Sequence, residues 1–305
     1  METFHSHGKL LISGEYVVLN GATAFALPTK FGQGLEVTKI GAPVINWKSL
    51  DHKQNTWFED SFEISDLIAS EVPEKHNKNE VSKMLFQTLF FARKMAPQVF
   101  AEGGFEISTK LDFPRDWGLG TSSTLIANLA KWLKIDAYQL LQHTFGGSGY
   151  DIAVAIHQTP VTFEKQPSEN SILKTSFDPP FKEQLFFVHL NQKQNSREAI
   201  AHYRQQDKTT LGTAIKKISA LSHSLINATD LLEFKMLLEV HENVISQLVG
   251  LQKVKSRLFP DYPGAVKSLG GWGGDFVLAT GTAKDMEYFR SKGYSSILPY
   301  SEMIL

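Results

Sequence analysis

Four segments of this chain carry residue types and spacings suited to moving a phosphoryl group. Gly118-Leu119-Gly120-Thr121-Ser122-Ser123-Thr124 sets two glycines ahead of a run of hydroxyls. Glycines let backbone amides approach an anion, and a helix that starts there adds unpaired N–H donors and the positive end of its dipole. Such a loop suits a polyphosphate, and its hydroxyls are hard oxygen donors that can bond phosphate or help hold magnesium. The plain alternative is an ordinary helix cap, where Ser and Thr are favoured for structural reasons. Asp151 follows Gly146-Gly147-Ser148-Gly149-Tyr150, whose small residues leave room for a ligand beside the carboxylate. An aspartate there can accept the proton of an attacking hydroxyl, which is general-base work in a reaction otherwise made of positioning and charge neutralisation. An N-cap aspartate is the competing reading. Lys9 stands at the front of the first apolar strand, an unusual place for a charge unless it reaches a polar cleft. Its ammonium would favour an ionised Asp151 or a developing alkoxide; a solvated terminal lysine is the alternative. Gly270-Gly271-Trp272-Gly273-Gly274-Asp275 has four glycines in six residues, more than a simple hairpin needs. It is either a second backbone loop close to the phosphates or a tight turn rich in left-handed conformations.

The elements that must position these residues read as a mixed α and β chain. Leu10 to Leu19 is apolar and broken by Gly14-Glu15, with the turn-like Asn20-Gly21 behind it, so a bent strand or hairpin is expected. Further strands are expected at Gly34 to Thr38, Val44 to Lys48, Thr56 to Ile64 and Gly104 to Lys110, with a helix near Asn79 to Met95. After Trp117, Leu125, Ile126, Leu129, Trp132 and Leu133 recur at helical spacing, so the glycine loop runs into a helix. The run from Ile152 to Ile156 fits a helix or a strand. Thr159 to Pro180, with four prolines, is the expected lobe boundary, dividing the chain into 1–175 and 176–305, and Val161 to Phe163 is a candidate strand within it. Beyond it come a strand at Gln184 to Leu190 and a helix opened by a capping box of Asn195 and Glu198. A long helix from Asp230 to Leu248 places Phe234, Leu237, Leu238, His241, Ile245 and Leu248 on one face, with His241 expected at the edge of the core. The tail resumes as a strand at Phe276 to Thr280, a helix at Ala283 to Lys292 and a strand at Ser296 to Pro299.

Composition narrows the function classes. Thirty-one basic residues against 32 acidic leave a net charge of −1, which gives no bulk attraction to nucleic acid or an anionic membrane. The absence of cysteine excludes disulfides and thiolate metal sites and makes the cytoplasm the default compartment. Glu15 and glycines interrupt the apolar N-terminal stretch, so Met1 to Leu19 reads as folded protein rather than a secretory signal, and Met84 to Phe91 is too short to span a bilayer. The ten histidines show no helical pair with ligand spacing, and neither a Walker A lysine motif nor the dinucleotide fingerprint is present.

Taken in this order, Gly8-Lys9-Leu10-Leu11-Ile12-Ser13-Gly14-Glu15-Tyr16-Val17-Val18, Gly118 to Thr124, Gly147 to Asp151 and Gly270 to Gly274 resemble the GHMP kinase family. The resemblance implies an α+β fold of two lobes, the N-terminal one like a ribosomal-protein domain and the C-terminal one ferredoxin-like. It implies ATP as phosphate donor, with Gly118, Leu119, Gly120, Thr121, Ser122 and Ser123 on its phosphates and Ser122 on Mg2+. By the same analogy Asp151 is the catalytic aspartate and Lys9 the lysine near it, while Glu15, Tyr16, Gly271, Gly273 and Gly274 are substrate-binding. The Gly-Glu-Tyr-Val-Val form of the first segment looks most like mevalonate and phosphomevalonate kinases, and Gly149 to Ala153 is similar to a bacterial subgroup bearing Gly-Tyr-Asp-Ile-Ala. The implied partner is a small metabolite with a hydroxyl or phosphate acceptor, with room left for a homodimer.

The sequence departs from the family at His7, where proline is usual, and at Trp272. Mevalonate kinases also carry a metal-binding glutamate shortly before the catalytic aspartate, whereas Ala137 to Tyr150 contains no acidic residue. Magnesium would then rest on Ser122, phosphates and water, which tilts the expectation towards a phosphomevalonate-like or divergent enzyme. The competing readings are a catalytically silent nucleotide- or metabolite-sensing homologue and a kinase for homoserine or a sugar.

Overall fold

The computed structural model describes residues 1–68, 79–101, 103–192, 196–272 and 274–305. They divide into two units that interleave along the chain. Unit one is Met1–Gly8, Phe31–Arg115 and Gly120–Ile156; unit two is Lys9–Lys30, Asp116–Leu119 and His157–Leu305. No single cut in the sequence reproduces that division, because the first two strands, β1 (Glu2–Ser13) and β2 (Ala24–Ile40), each run from one unit into the other.

In unit one, β3 (Val44–Leu50) and β4 (Thr56–Glu63) form a hairpin, followed by the helices α1 (Ile64–Ile68) and α2 (Glu80–Met95) and then β5 (Gly104–Leu111). The strands lie in the order β4-β3-β5-β2, with β3 parallel to β5 and the other pairs antiparallel. Alternation sets the faces of β3: Ile45 and Trp47 are buried, Asn46 and Lys48 exposed. In α2 the Asn79 side chain accepts from Ser82 N at 2.9 Å, while Arg93 and Lys94 sit at the negative end of the dipole. Its apolar face, with Phe86 and Leu89 fully buried, joins the core of this unit, where each such side chain contributes about 1.5–3 kcal/mol. Onto the same core fold α3 (Thr121–Leu133), α4 (Ala137–His143) and α5 (Tyr150–His157). The run after Asp151 is therefore helical. The Asp136 carboxylate caps α4 through Tyr138 N at 2.7 Å and Gln139 N at 3.2 Å.

In unit two, the first residues of β2 pair with β6 (Val161–Glu164), and β6 with β7 (Ser171–Lys174). A second sheet follows from β8 (Leu185–His189). After α6 (Ser196–Gln205), α7 (Leu211–Asn227), α8 (Leu231–Val249) and α9 (Val254–Leu258) come β9 (Val266–Ser268) and β10 (Phe276–Thr280), α10 (Glu287–Ser291), β11 (Ile297–Pro299) and α11 (Tyr300–Met303). Its order is β11-β8-β10-β9, antiparallel throughout. The α8 helix opens on the Asp230 side chain, which accepts from Glu233 N, and closes on Gly250 in a left-handed cap.

Several expectations are corrected. The segment Leu10 to Leu19 is neither a bent strand nor a hairpin: β1 ends at Ser13, Gly14 turns at φ 102°, Tyr16 at φ 63°, and Val17–Asn20 is a 3-10 turn whose valines are buried. Tertiary burial of Val17 and Val18 overrides their strand preference. The α7 helix was not foreseen, and α10 is shorter than Ala283 to Lys292. His241 is fully buried rather than at a core edge. Asn195 of the expected capping box lies outside the described residues.

Candidate active site

In unit one the site begins at the mouth of α3. Gly120 occupies the N-cap with φ 100° and has no side chain with which to cap the helix. The hydroxyls of Ser123 and Thr124 turn inward instead, donating to Gly120 O at 2.9 and 3.0 Å, and Thr124 also donates to Gln33 Oε1 at 2.8 Å. The N-cap glycine itself offers the first-turn amides no side-chain acceptor, and Ser122 is exposed at the same end. A helix end in this state presents N–H donors, partial positive charge and a free hydroxyl to an anion. Asp151 sits half-buried in the first turn of α5, its Oδ1 accepting from Ile152 N at 3.0 Å. Tyr138, on α4, buries a hydroxyl that finds no hydrogen-bond partner among the described residues. Burial, and then the charges of Asp151 and Asp136, raise its phenol above the ordinary range, so it stays protonated.

In unit two, Lys9 donates from Nζ to Gly118 O at 2.9 Å, and its backbone N–H donates to Leu119 O at 2.9 Å. The amino group foreseen as chemistry-bearing is thereby fixed to the start of the glycine loop. Gly118 has φ 66°, and a Cβ placed on it would lie 2.4 Å from Cγ of Asp275, so the loop needs glycine there for both conformation and space. Asp275 is itself buried with φ 52°; its N–H donates to Gln192 O at 2.9 Å and its carbonyl accepts from Leu190 N at 2.8 Å. A carboxylate clamped beside a left-handed glycine is the kind of local strain that collects at working sites.

No family model matches the chain, and no curated protein does. Solved structures match it over nearly its whole length. Mevalonate kinase from Methanococcus jannaschii superposes with a TM-score of 0.71 at 13% identity, over 97% of this chain and 96% of that one. Phosphomevalonate kinase from Streptococcus pneumoniae, in complex with phosphomevalonate and AMPPNP, gives 0.71 at 15% identity over 98% and 100%. Galactokinase from Lactococcus lactis, complexed with galactose, gives 0.69 at 14% identity over 100% and 93%. The fold is that of the GHMP kinases.

Within this GHMP kinase fold, the residues expected to bind substrate are placed unevenly. Glu15 and Tyr16 are both buried, Glu15 at 1% exposure. Gly271 is half-buried and Gly274 buried, while Gly273 lies outside the described residues. Glu15 forms an ion pair with Lys267, and His241 Nε2 lies 3.2 Å from its second oxygen. Lys267 also donates to Ser268 O at 2.7 Å and lies 3.7 Å from Glu242, whose other oxygen accepts from Ser268 N at 3.2 Å. Burial alone would raise the Glu15 carboxyl, but the Lys267 ammonium paired with it overcomes that and holds the group down at about 2. Burial dominates for Glu242 and pushes it up to about 7, and burial followed by the Lys267 charge keeps His241 below its ordinary value. Lys267 and Glu242 escaped the sequence reading, and Asp275 entered it only as the end of the glycine run that signalled a close approach. A groove of about 740 Å³ on the polar side of the unit-one sheet, lined by Glu36, Lys48, Glu59 and Glu106 among others, contains none of the residues foreseen as functional.

Proposed function

We propose that the chain is an ATP-dependent small-molecule kinase that passes the γ-phosphate to a hydroxyl or phosphate of a small metabolite, with a mevalonate-pathway acceptor as the leading candidate. The observation that carries this reading is the glycine-capped mouth of α3, with exposed Ser122 in its first turn, in a fold shared with a kinase solved in complex with AMPPNP. In it, Gly118 to Ser123 bind the polyphosphate through backbone amides. Asp151 takes the acceptor's proton, and Lys9 adds positive charge at the loop it anchors. Ser122 offers one hard oxygen to magnesium. Magnesium keeps several waters and takes phosphate oxygens, so Ser122 need supply only one position. The ion, when bound, neutralises phosphate charge; the chain's part is to orient the phosphates and remove the proton.

The resemblance of Gly14-Glu15-Tyr16-Val17-Val18 to the corresponding segment of mevalonate and phosphomevalonate kinases supports mevalonate or phosphomevalonate as acceptor. The test is ADP release by purified protein with MgATP and mevalonate, phosphomevalonate, galactose, a heptose phosphate or homoserine, one at a time. Stimulation by mevalonate or phosphomevalonate alone is expected. Stimulation by a sugar or homoserine keeps the kinase and removes the pathway, and nucleotide binding without turnover on any acceptor favours a sensing protein.

A further inference from the structure

The first motif and the last glycine loop are joined at two points inside unit two, and the two residues responsible are adjacent in sequence. Glu15 reaches Lys267, at the middle of β9 and just ahead of the loop, in a fully buried ion pair. Tyr16 reaches into the loop itself: its phenolic oxygen accepts from Trp272 N at 3.1 Å, and its ring stacks on Tyr203 at 5.3 Å. Both partners are sealed off, Lys267 at 0% and Trp272 at 3% exposure. His241 fixes the corner from a third direction, since its Nε2 accepts from Gly14 N at 3.2 Å. The corner so held is a strained one, with Gly14 at φ 102° and Tyr16, a bulky residue, at φ 63°. At the other end of the same loop lies Asp275, whose carboxylate occupies the space beside Gly118.

We propose that Glu15 and Tyr16 are positioning residues that staple the last glycine loop to the corner of the first motif and, through Asp275, set the conformation of Gly118 and with it the affinity for nucleotide. This deepens the reading of Gly118 to Ser123 as the phosphate loop and rests on it. It also reassigns both side chains, since groups this buried, Glu15 paired with Lys267 and Tyr16 bonded to Trp272, hold the backbone rather than meet the acceptor. The link is continuous. Lys267 and Ser268 lie on β9, Ser268 pairs with Val277 on β10, and Asp275 stands just before β10 with its backbone pinned on both sides. Release at Tyr16 or Lys267 would leave Asp275 held beside Gly118 only by its bonds to Leu190 and Gln192, a weaker hold on the group packed against the glycine.

Two variants and two readouts test the staple. Tyr16→Phe removes only the oxygen bonded to Trp272. The double variant Glu15→Gln with Lys267→Met removes both charges together, so neither is left buried alone, the situation that would otherwise prevent folding. In the free protein, amide exchange at Trp272 should speed up about tenfold in Tyr16→Phe, as expected for a lost buried hydrogen bond. In steady-state turnover the KM for ATP should rise about tenfold in both variants, with kcat within about threefold of wild type and the acceptor KM unmoved. Unchanged exchange at Trp272 overturns the staple, and so does a raised acceptor KM with an unmoved nucleotide KM. If the wild-type protein neither binds nor turns over MgATP, the kinase reading falls, while the exchange measurement still decides whether the staple exists.

Discussion

Asp275 fills the space in which a side chain on Gly118 would stand, and both residues have positive φ. That pairing makes Gly118→Ala a sharp test of the loop. A left-handed alanine costs about 1–2 kcal/mol, and its methyl meets the carboxylate as well. The nucleotide KM should therefore rise tenfold or more, with a smaller change in melting temperature than a buried core truncation gives; an unaltered KM would remove Gly118 from the phosphate loop. Lys9, Gly118 and Asp151 were legible because their signals are local: a charge opening an apolar strand, glycines before hydroxyls, an acid after small residues. The partners of Glu15 were not. Lys267 lies 252 positions away, and nothing in either local sequence announces a pairing that the fold alone creates.

At the scale of elements, α8, β9 and the corner at Gly14–Tyr16 meet in a buried ionic cluster with consequences for stability. Glu242 titrates at about 7 when folded against an ordinary value of 4.5, so it favours the fold at low pH and loses that contribution as pH rises from about 4.5 through 7. Glu15, held at about 2, acts in the opposite sense: its contribution is present above about 4.5 and disappears as pH falls towards 2. His241, kept below its ordinary value, opposes Glu242 between those limits, and Lys267 faces all three. Comparison of wild type with Glu242→Gln removes the Glu242 titration together with its coupling to Lys267, His241 and Glu15. The melting temperature of Glu242→Gln should gain on wild type as pH climbs from 4.5 to 7.5, by at least about 2 °C, the shift that a change near 1 kcal/mol gives in a chain of this size. A difference that is constant with pH would contradict the buried, protonated Glu242. Elements with their own punctuation were readable: α2 from Asn79, α3 from its glycines, α8 from Asp230 and its apolar face. The corner after Ser13 was not, because its valines follow strand preference in isolation and tertiary burial in place. The α7 helix was missed in the same way, since its fit to unit two rests on the apolar face Ala214, Ile218, Leu221 and Leu225 rather than on a side-chain cap.

At the scale of the molecule, the resemblance of ordered segments and the match of the whole chain to GHMP kinase structures agree on the fold, although no solved neighbour reported above exceeds 15% identity. The α+β class was readable from alternating elements, but the interleaving of the two units was not, because it follows from β1 and β2 each crossing between them. What the molecule is proposed to do rests on Asp151 removing a proton while the mouth of α3 holds the phosphates. The most direct test is Asp151→Asn, measured at once for ATP binding by titration and for ADP formation at saturating acceptor. The proposal predicts binding within about twofold of wild type and turnover reduced on the order of 10²-fold or more. Turnover equal to wild type would contradict it.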